Sequence, residues 1–240
     1  AEKKGLKALS LEDGFIRSLG LGKDGFAPLS LVVDETGIYF DALQTSDLEQ
    51  LILQSEKEEL NLRATHAIQI ILNHKITKYN QQFKKLDPSL FSKTVKNILV
   101  VDQTFGDQSI KYAGATPEIF KQMLKQACLD HPDAIIWVKT HPDVIAGKSK
   151  GHLSTADLNH PNIKILIENY NPIDLLSLID EVYVVSSQLG FEALMCDKKV
   201  HCFGVPWYAG WGLTNDKFAP LEIIQGRRGV NRSLEHLFAC

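Results

Sequence analysis

Carboxylates, hydroxyls and a histidine recur in this chain directly after short apolar runs. The sharpest case is Asn97-Ile98-Leu99-Val100-Val101-Asp102-Gln103-Thr104-Phe105-Gly106-Asp107-Gln108-Ser109. An unbroken apolar run of strand length breaks off into two carboxylates, Asp102 and Asp107, with Gln103, Thr104 and Ser109 beside them. Carboxylates so placed serve as bases, acids or nucleophiles. Gly106 lets the backbone turn tightly before Asp107. The same residues also suit a turn and a cap on the next helix. A second case is Glu12-Asp13 with Arg17 four positions on and Gly20-Leu21-Gly22 behind it. It is an acid/base candidate or a solvated turn with a local ion pair. A third run, Ala134 to Lys139, ends in Thr140-His141-Pro142-Asp143. The proline holds His141 outside helical geometry, and His141 also reads as a structural donor to a loop carbonyl. In a fourth, Glu181 to Val185 leads into Ser186-Ser187-Gln188-Leu189-Gly190-Phe191-Glu192. Strand, polar turn and helix in that order offer an anion N–H groups and hydroxyls, or Ser simply caps the helix. Gly190 lets that helix pack closely.

These ends need elements to hold them. Apolar runs at Asn97 to Val101, Ala134 to Lys139, Asn162 to Ile167, Glu181 to Val185 and Lys198 to Phe203 read as buried strands. Helices fall between them, one opened by Thr116 and Pro117, another by Asn171 and Pro172. The alternation predicts a parallel doubly wound sheet. Such sheets bind ligands at the carboxyl ends of their strands, so three polar ends converge on one edge. Upstream, Leu6 to Leu11 reads as a strand, and Leu29 to Val33 with Gly37 to Phe40 as a hairpin. Ser46 and Glu49 form a capping box. A long helical pattern runs from Glu58 to Tyr79, with His66 and His74 on its flanks. The polar stretch Lys75 to Lys93 reads as a linker, dividing the chain into 1–92 and 93–240. Trp207-Tyr208-Ala209-Gly210-Trp211-Gly212 is an aromatic loop, able to stack on a sugar or base or to plug two domains together.

The totals narrow the class. In 240 residues with a formal net charge of −3 there is no strong basic field to draw nucleic acid. Cys128, Cys196, Cys202 and Cys240 are scattered without a C-x-x-C pair, which suits a reducing compartment. No apolar stretch is long enough to span a membrane, and no metal-ligand spacing appears. Ala1 to Leu6 reads as the tail of a helix and Cys240 falls inside a helical pattern, so a piece of a longer polypeptide is expected.

Five segments together resemble a family. Glu12 to Gly22, Asp102 to Asp107, Lys139 to Pro142, Ser186 to Glu192 and Trp207 to Gly212 are similar, in order, to the motifs of the bacterial capsule polysaccharide β-Kdo transferases, KpsC. The Asp-Gln-Thr-Phe-Gly-Asp form resembles the N-terminal of the two transferase modules these proteins carry. The Trp-Gly-Arg strand that usually precedes is absent. The resemblance implies an α/β fold of GT-B type, two Rossmann-like domains with parallel sheets and a cleft between them. Residues 1–92 would form an incomplete acceptor-side domain and 93–240 the nucleotide-sugar domain.

It also implies a CMP-Kdo donor and a Kdo-bearing lysophosphatidylglycerol acceptor at the cytoplasmic face of the inner membrane. A second module of the same polypeptide is an implied partner, and no cofactor or metal is implied. A β-linked donor giving a β product means net retention, most simply by two inversions through a nucleophile. The resemblance gives that role to Asp107 and the base role to Glu12, with Asp13 as rival. His141, Ser186 and Ser187 would hold the leaving phosphate, with Lys139 adding charge and Arg17 reading a Kdo carboxylate. Gln103, Gln188 and Glu192 complete the donor-binding set. The alternatives are an inverting CMP-sialic-acid-type transferase and a non-catalytic CMP-sugar-binding module of a capsule assembly complex.

Overall fold

The structure, a computed structural model, describes residues 9–20, 22–140 and 151–240. Its centre is a five-stranded parallel sheet. The strands are β3 (Asn97–Val101), β4 (Ile135–Lys139), β5 (Ile163–Leu166), β6 (Glu181–Val184) and β7 (Lys199–Cys202), in spatial order β5-β4-β3-β6-β7. β3 and β6 are buried at every position, which is why they read as unbroken apolar runs rather than alternating ones.

Alternate strand residues serve different cores, as a period of two requires. Leu99, Val101, Trp137, Val182 and Val184 face one core, and Ile98, Val100, Ile136, Val138 and Tyr183 the other. Helix α4 (Ile119–Asp130) fills the second core with Phe120, Met123, Leu124 and Ala127, a single face at helical spacing. It begins one turn after the expected Thr116 cap. Helix α3 (Gln108–Tyr112) follows β3, α5 (Pro172–Leu176) follows β5, and α6 (Leu189–Met195) follows β6 and is buried throughout. Asn171 caps α5 as expected, accepting from the N–H groups of Ile173 and Asp174. Gly190 has the reason the sequence suggested: a Cβ there would stand 2.1 Å from the Tyr208 hydroxyl oxygen.

The first part of the chain departs further from expectation. Among the described residues its only sheet is the antiparallel pair β1 (Ser10–Asp13) and β2 (Leu31–Asp34), not a second parallel sheet. Glu12 and Asp13 therefore lie within β1 rather than after it, opposite Val32 and Leu31. The hairpin expected around Asp34 to Gly37 does not form, because β2 pairs backwards with β1. Asp34 instead closes a turn, accepting from the N–H groups of Thr36 and Gly37.

Ser46 caps α1 (Asp47–Leu53) through the Glu49 N–H at 3.0 Å. The Glu49 carboxylate does not return to the cap; it is buried against Arg227 and Arg228. Helix α2 (Glu58–His74) stops short of Tyr79, with Lys75 left-handed at φ 53° and bonded back to Ile71 and Leu72. Helix α7 (Leu234–Ala239) returns to pack on α2, so contacts cross the division at residue 92. All four cysteines are free. Among the described residues no helix is long and apolar enough to cross a membrane.

Candidate active site

A cleft of about 970 Å³ opens at the carboxyl ends of β3, β4 and β6. The strand order reverses between β3 and β6, and this is where doubly wound sheets bind ligands. Gln103 bridges that point. Its Oε1 accepts the Ser186 N–H at 3.1 Å, and its Nε2 donates to Ser186 Oγ at 3.1 Å and to Asp107 Oδ2 at 3.1 Å.

Asp107 is placed by the turn at Gly106, whose φ of +90° suits glycine. Its Oδ1 accepts from the Ser109 N–H at 2.9 Å and the Ser109 hydroxyl at 2.8 Å. It thus caps α3 and faces the cleft at once. Asp102 differs. It is buried, and its Oδ1 accepts from the N–H groups of Gln103 and His152 at 2.9 and 3.2 Å. Burial pushes its carboxyl above the usual range, against the pull of those hydrogen bonds.

The opposite wall comes from β1 and from the stretch after α2. Glu12 accepts the N–H of Asp13 at 2.9 Å. Asp13 is paired with Arg17 Nε at 2.9 Å and accepts from the Tyr79 hydroxyl at 3.3 Å. Tyr39 stands among these carboxylates. Burial first, then the charges of Glu12, Asp13 and Asp107, push its phenol well up. One neutral hydroxyl group therefore feels both carboxylate sets, which line the same cavity.

The floor holds ionisable groups. Lys139 ends β4, and burial draws its ammonium below the ordinary lysine range while Glu192 works the other way. Glu192 is fully buried in α6, accepts from the Thr77 hydroxyl, and is pushed up to about 7 by burial. The aromatic loop is mostly plug: Tyr208 and Trp211 are completely buried, and only Trp207 reaches the cleft, with Nε1 donating to Gln188 Oε1 at 3.2 Å. A His131–Glu181–His201 group lies away from the cleft, beside the first residue of β6. Protein partners occupy its atoms: His201 Nε2 and Glu181 Oε2 are 2.8 Å apart, His131 Nε2 bonds the Tyr183 hydroxyl at 3.1 Å, and Lys96 occupies the other Glu181 oxygen.

Comparison with known proteins bears on this cleft. The family model for "capsule polysaccharide biosynthesis protein" matches residues 1–236. The chain belongs to that family. Within it, the capsule polysaccharide modification protein LipA of Neisseria meningitidis serogroup A is 45% identical over 240 residues, 98% of this chain and 34% of LipA. The lipopolysaccharide-processing protein LpsZ of Rhizobium meliloti is 38% identical, over 100% of this chain and 54% of LpsZ. The chain thus spans about a third to a half of the curated relatives it matches. Among solved structures, the β-Kdo 2,4 transferase of Thermosulfurimonas dismutans KpsC superposes with a TM-score of 0.89 at 44% identity, over 99% of this chain and 72% of that one. The β-Kdo 2,7 transferase of the same protein gives 0.71 at 32% identity, over 99% and 71%.

In this capsule-family chain the cleft gathers nearly all the residues singled out from sequence: Glu12, Asp13, Gln103, Asp107, Lys139, Ser186, Ser187, Gln188 and Glu192 line it. Arg17 does not. Its guanidinium is spent on Asp13, the Ser18 hydroxyl and the Phe26 carbonyl, so its place is behind the wall, holding Asp13. His141 lies outside the described residues. Sequence reasoning missed Thr77, Lys78 and Tyr79, because Lys75 to Lys93 looked like a polar linker. Their signal was the break in apolar spacing after Ile76, which ends a helix face and not a domain.

Proposed function

We propose that this chain is a Kdo glycosyltransferase module of capsule synthesis, retaining and dependent on CMP-Kdo. The observation that carries the reading is the meeting of two carboxylate sets, Glu12–Asp13 and Asp107, around one cleft at the sheet's switch point. Its similarity to two KpsC Kdo transferase modules supports the sugar.

The Asp107 carboxylate attacks the anomeric carbon of Kdo as the bond to the CMP phosphate breaks, and CMP leaves with the bonding pair. Ser186 and Ser187 donate hydrogen bonds to that phosphate. Glu12 then takes the proton of an acceptor hydroxyl, whose oxygen displaces Asp107 and restores its carboxylate. Two inversions give net retention. Glu12 suits the base role better than Asp13, which is already engaged by Arg17 and Tyr79. Asp107 suits the nucleophile role better than Asp102, whose burial favours the protonated form.

The acceptor in this reading is a Kdo-bearing lysophosphatidylglycerol at the cytoplasmic face of the inner membrane, with a second module of the same polypeptide as partner. Incubation with CMP-Kdo or CMP-sialic acid and a Kdo-lipid acceptor tests it, read by mass spectrometry of the lipid. Kdo transfer from CMP-Kdo alone is the expected result. Transfer of sialic acid alone would favour an inverting enzyme, and CMP binding without transfer a non-catalytic module.

A further inference from the structure

Beside the cleft lies a second cavity, of about 230 Å³, which the mechanism above leaves without a role. Its body is apolar, lined by Phe15, Val32, Leu48, Phe191, Leu237 and Phe238. Asp13, Tyr39, Lys78, Gln188 and Trp207 line both cavities, so the two meet along one shared wall. Strand register sets the apolar cavity next to the proposed base. Val32 stands opposite Glu12 in the β1–β2 pair, and directly opposed residues share a face with Cβ atoms about 5 Å apart. Lys78 adds a charge at the junction. It is half-buried, with Nζ 5.7 Å from the Tyr79 ring centroid. The buried Glu192 feels its charge, yet among the described residues no ion pair or hydrogen bond reaches its ammonium.

We propose that this cavity takes the apolar chain of the acceptor lipid, with Lys78 Nζ on the lipid's phosphate and the reacting hydroxyl at Glu12. The inference rests on the acceptor reading above and gives that acceptor a place. An apolar pocket, a cation at its mouth and a base beyond it match an amphiphile whose anionic group lies between its chain and its sugar. Size agrees. An apolar cavity of about 150 Å³ stays dry and accepts a benzene-sized guest, so one of 230 Å³ suits the first several carbons of a chain. A nucleotide base is the poorer occupant, because its polar edge would lose water against walls that offer no hydrogen bonds. Burying chain carbons there supplies affinity in proportion to the area removed from water, and the ammonium adds a charge-assisted bond.

Calorimetric titration of the chain with alkyl phosphates from butyl to dodecyl tests this, with octyl glucoside as the neutral probe. Affinity is expected to rise about fourfold per added methylene until the cavity is full, and then to level off. Leu48→Trp fills the cavity and should abolish the rise. Leu48→Phe, a smaller plug, should shorten it and serves if the Trp variant fails to fold. Lys78→Met should weaken every alkyl phosphate by about tenfold and leave octyl glucoside unchanged. Transfer assays on Kdo acceptors with and without an acyl chain separate the pocket from the reading it rests on. Leu48→Trp should raise KM for the acylated acceptor by about tenfold and leave the chainless one unchanged. Chain-length-dependent binding without any Kdo transfer keeps the pocket and removes the transferase reading. Kdo transfer with no chain-length dependence of binding overturns the inference and keeps the transferase. Displacement of the alkyl phosphates by cytidine also overturns it, giving the pocket to the donor's base.

Discussion

Gln103 Nε2 donates to Asp107 Oδ2 across 3.1 Å, while the same side chain accepts the backbone N–H of Ser186. One amide therefore fixes the candidate nucleophile relative to the hydroxyls assigned to the leaving phosphate. Gln103→Ala should lower kcat by about ten- to a hundredfold, since a small misplacement of a reacting group is costly. KM for the donor should change less. Steady-state kinetics on the purified variant checks this, and an unchanged kcat would leave Gln103 as a spacer.

The two acidic residues of β1 should separate by phenotype. Glu12→Gln removes the base and should lower kcat by about a hundredfold or more, with stability nearly unchanged because the bond its side chain accepts, from the backbone N–H of Asp13, can also be accepted by an amide oxygen. Asp13→Asn takes the charge partner from buried Arg17 and should cost about 1–3 kcal/mol of stability. Paired transfer assays and denaturant titrations decide it. The reverse pattern would make Asp13 the base.

Glu192 gives a pH signature. Its carboxyl is raised by burial from 4.5 to about 7, so the folded state holds a proton that the unfolded chain releases. That contribution is complete below the unfolded value and is lost as pH rises through the folded one. Glu192→Gln stays neutral throughout. The variant should gain on wild type between about pH 5 and pH 8, by up to about 3 kcal/mol. Thermal melts across that range measure the gap, and a gap independent of pH would contradict a protonated, buried Glu192.

Much of this was legible in the residues themselves. β3, β4 and β6 are buried on both faces, so apolar runs marked them, and their sudden polar ends marked the site. The caps at Ser46 and Asn171 were legible because a side chain acts there on its own next turn. What failed depended on partners distant in sequence. β2 pairs with β1 across a long loop, and that choice cancels the local hairpin signal. Glu49 leaves its cap for Arg227 and Arg228, 178 and 179 positions away. The local ion pair of Arg17 with a carboxylate four positions back was legible and forms with Asp13, but the Phe26 and Ser18 contacts that take up the rest of its guanidinium have no sequence signature.

The plug below the site is testable apart from chemistry. Gly190→Ala puts a Cβ 2.1 Å from the Tyr208 hydroxyl oxygen, an overpacking that should cost about 1–3 kcal/mol. Adding Tyr208→Phe should recover part of the loss, less the hydrogen bond Tyr208 gives the Ser187 carbonyl. Chemical denaturation of both variants measures it. Additive losses would show that the two side chains do not meet.

The central claim is a covalent Kdo on Asp107. Intact-protein mass spectrometry after mixing the chain with CMP-Kdo, followed by peptide mapping, tests it most directly. The account predicts an adduct of one Kdo on Asp107, absent in Asp107→Asn, which keeps CMP affinity within about twofold. An adduct on Asp102, or full transfer by Asp107→Asn, would contradict it.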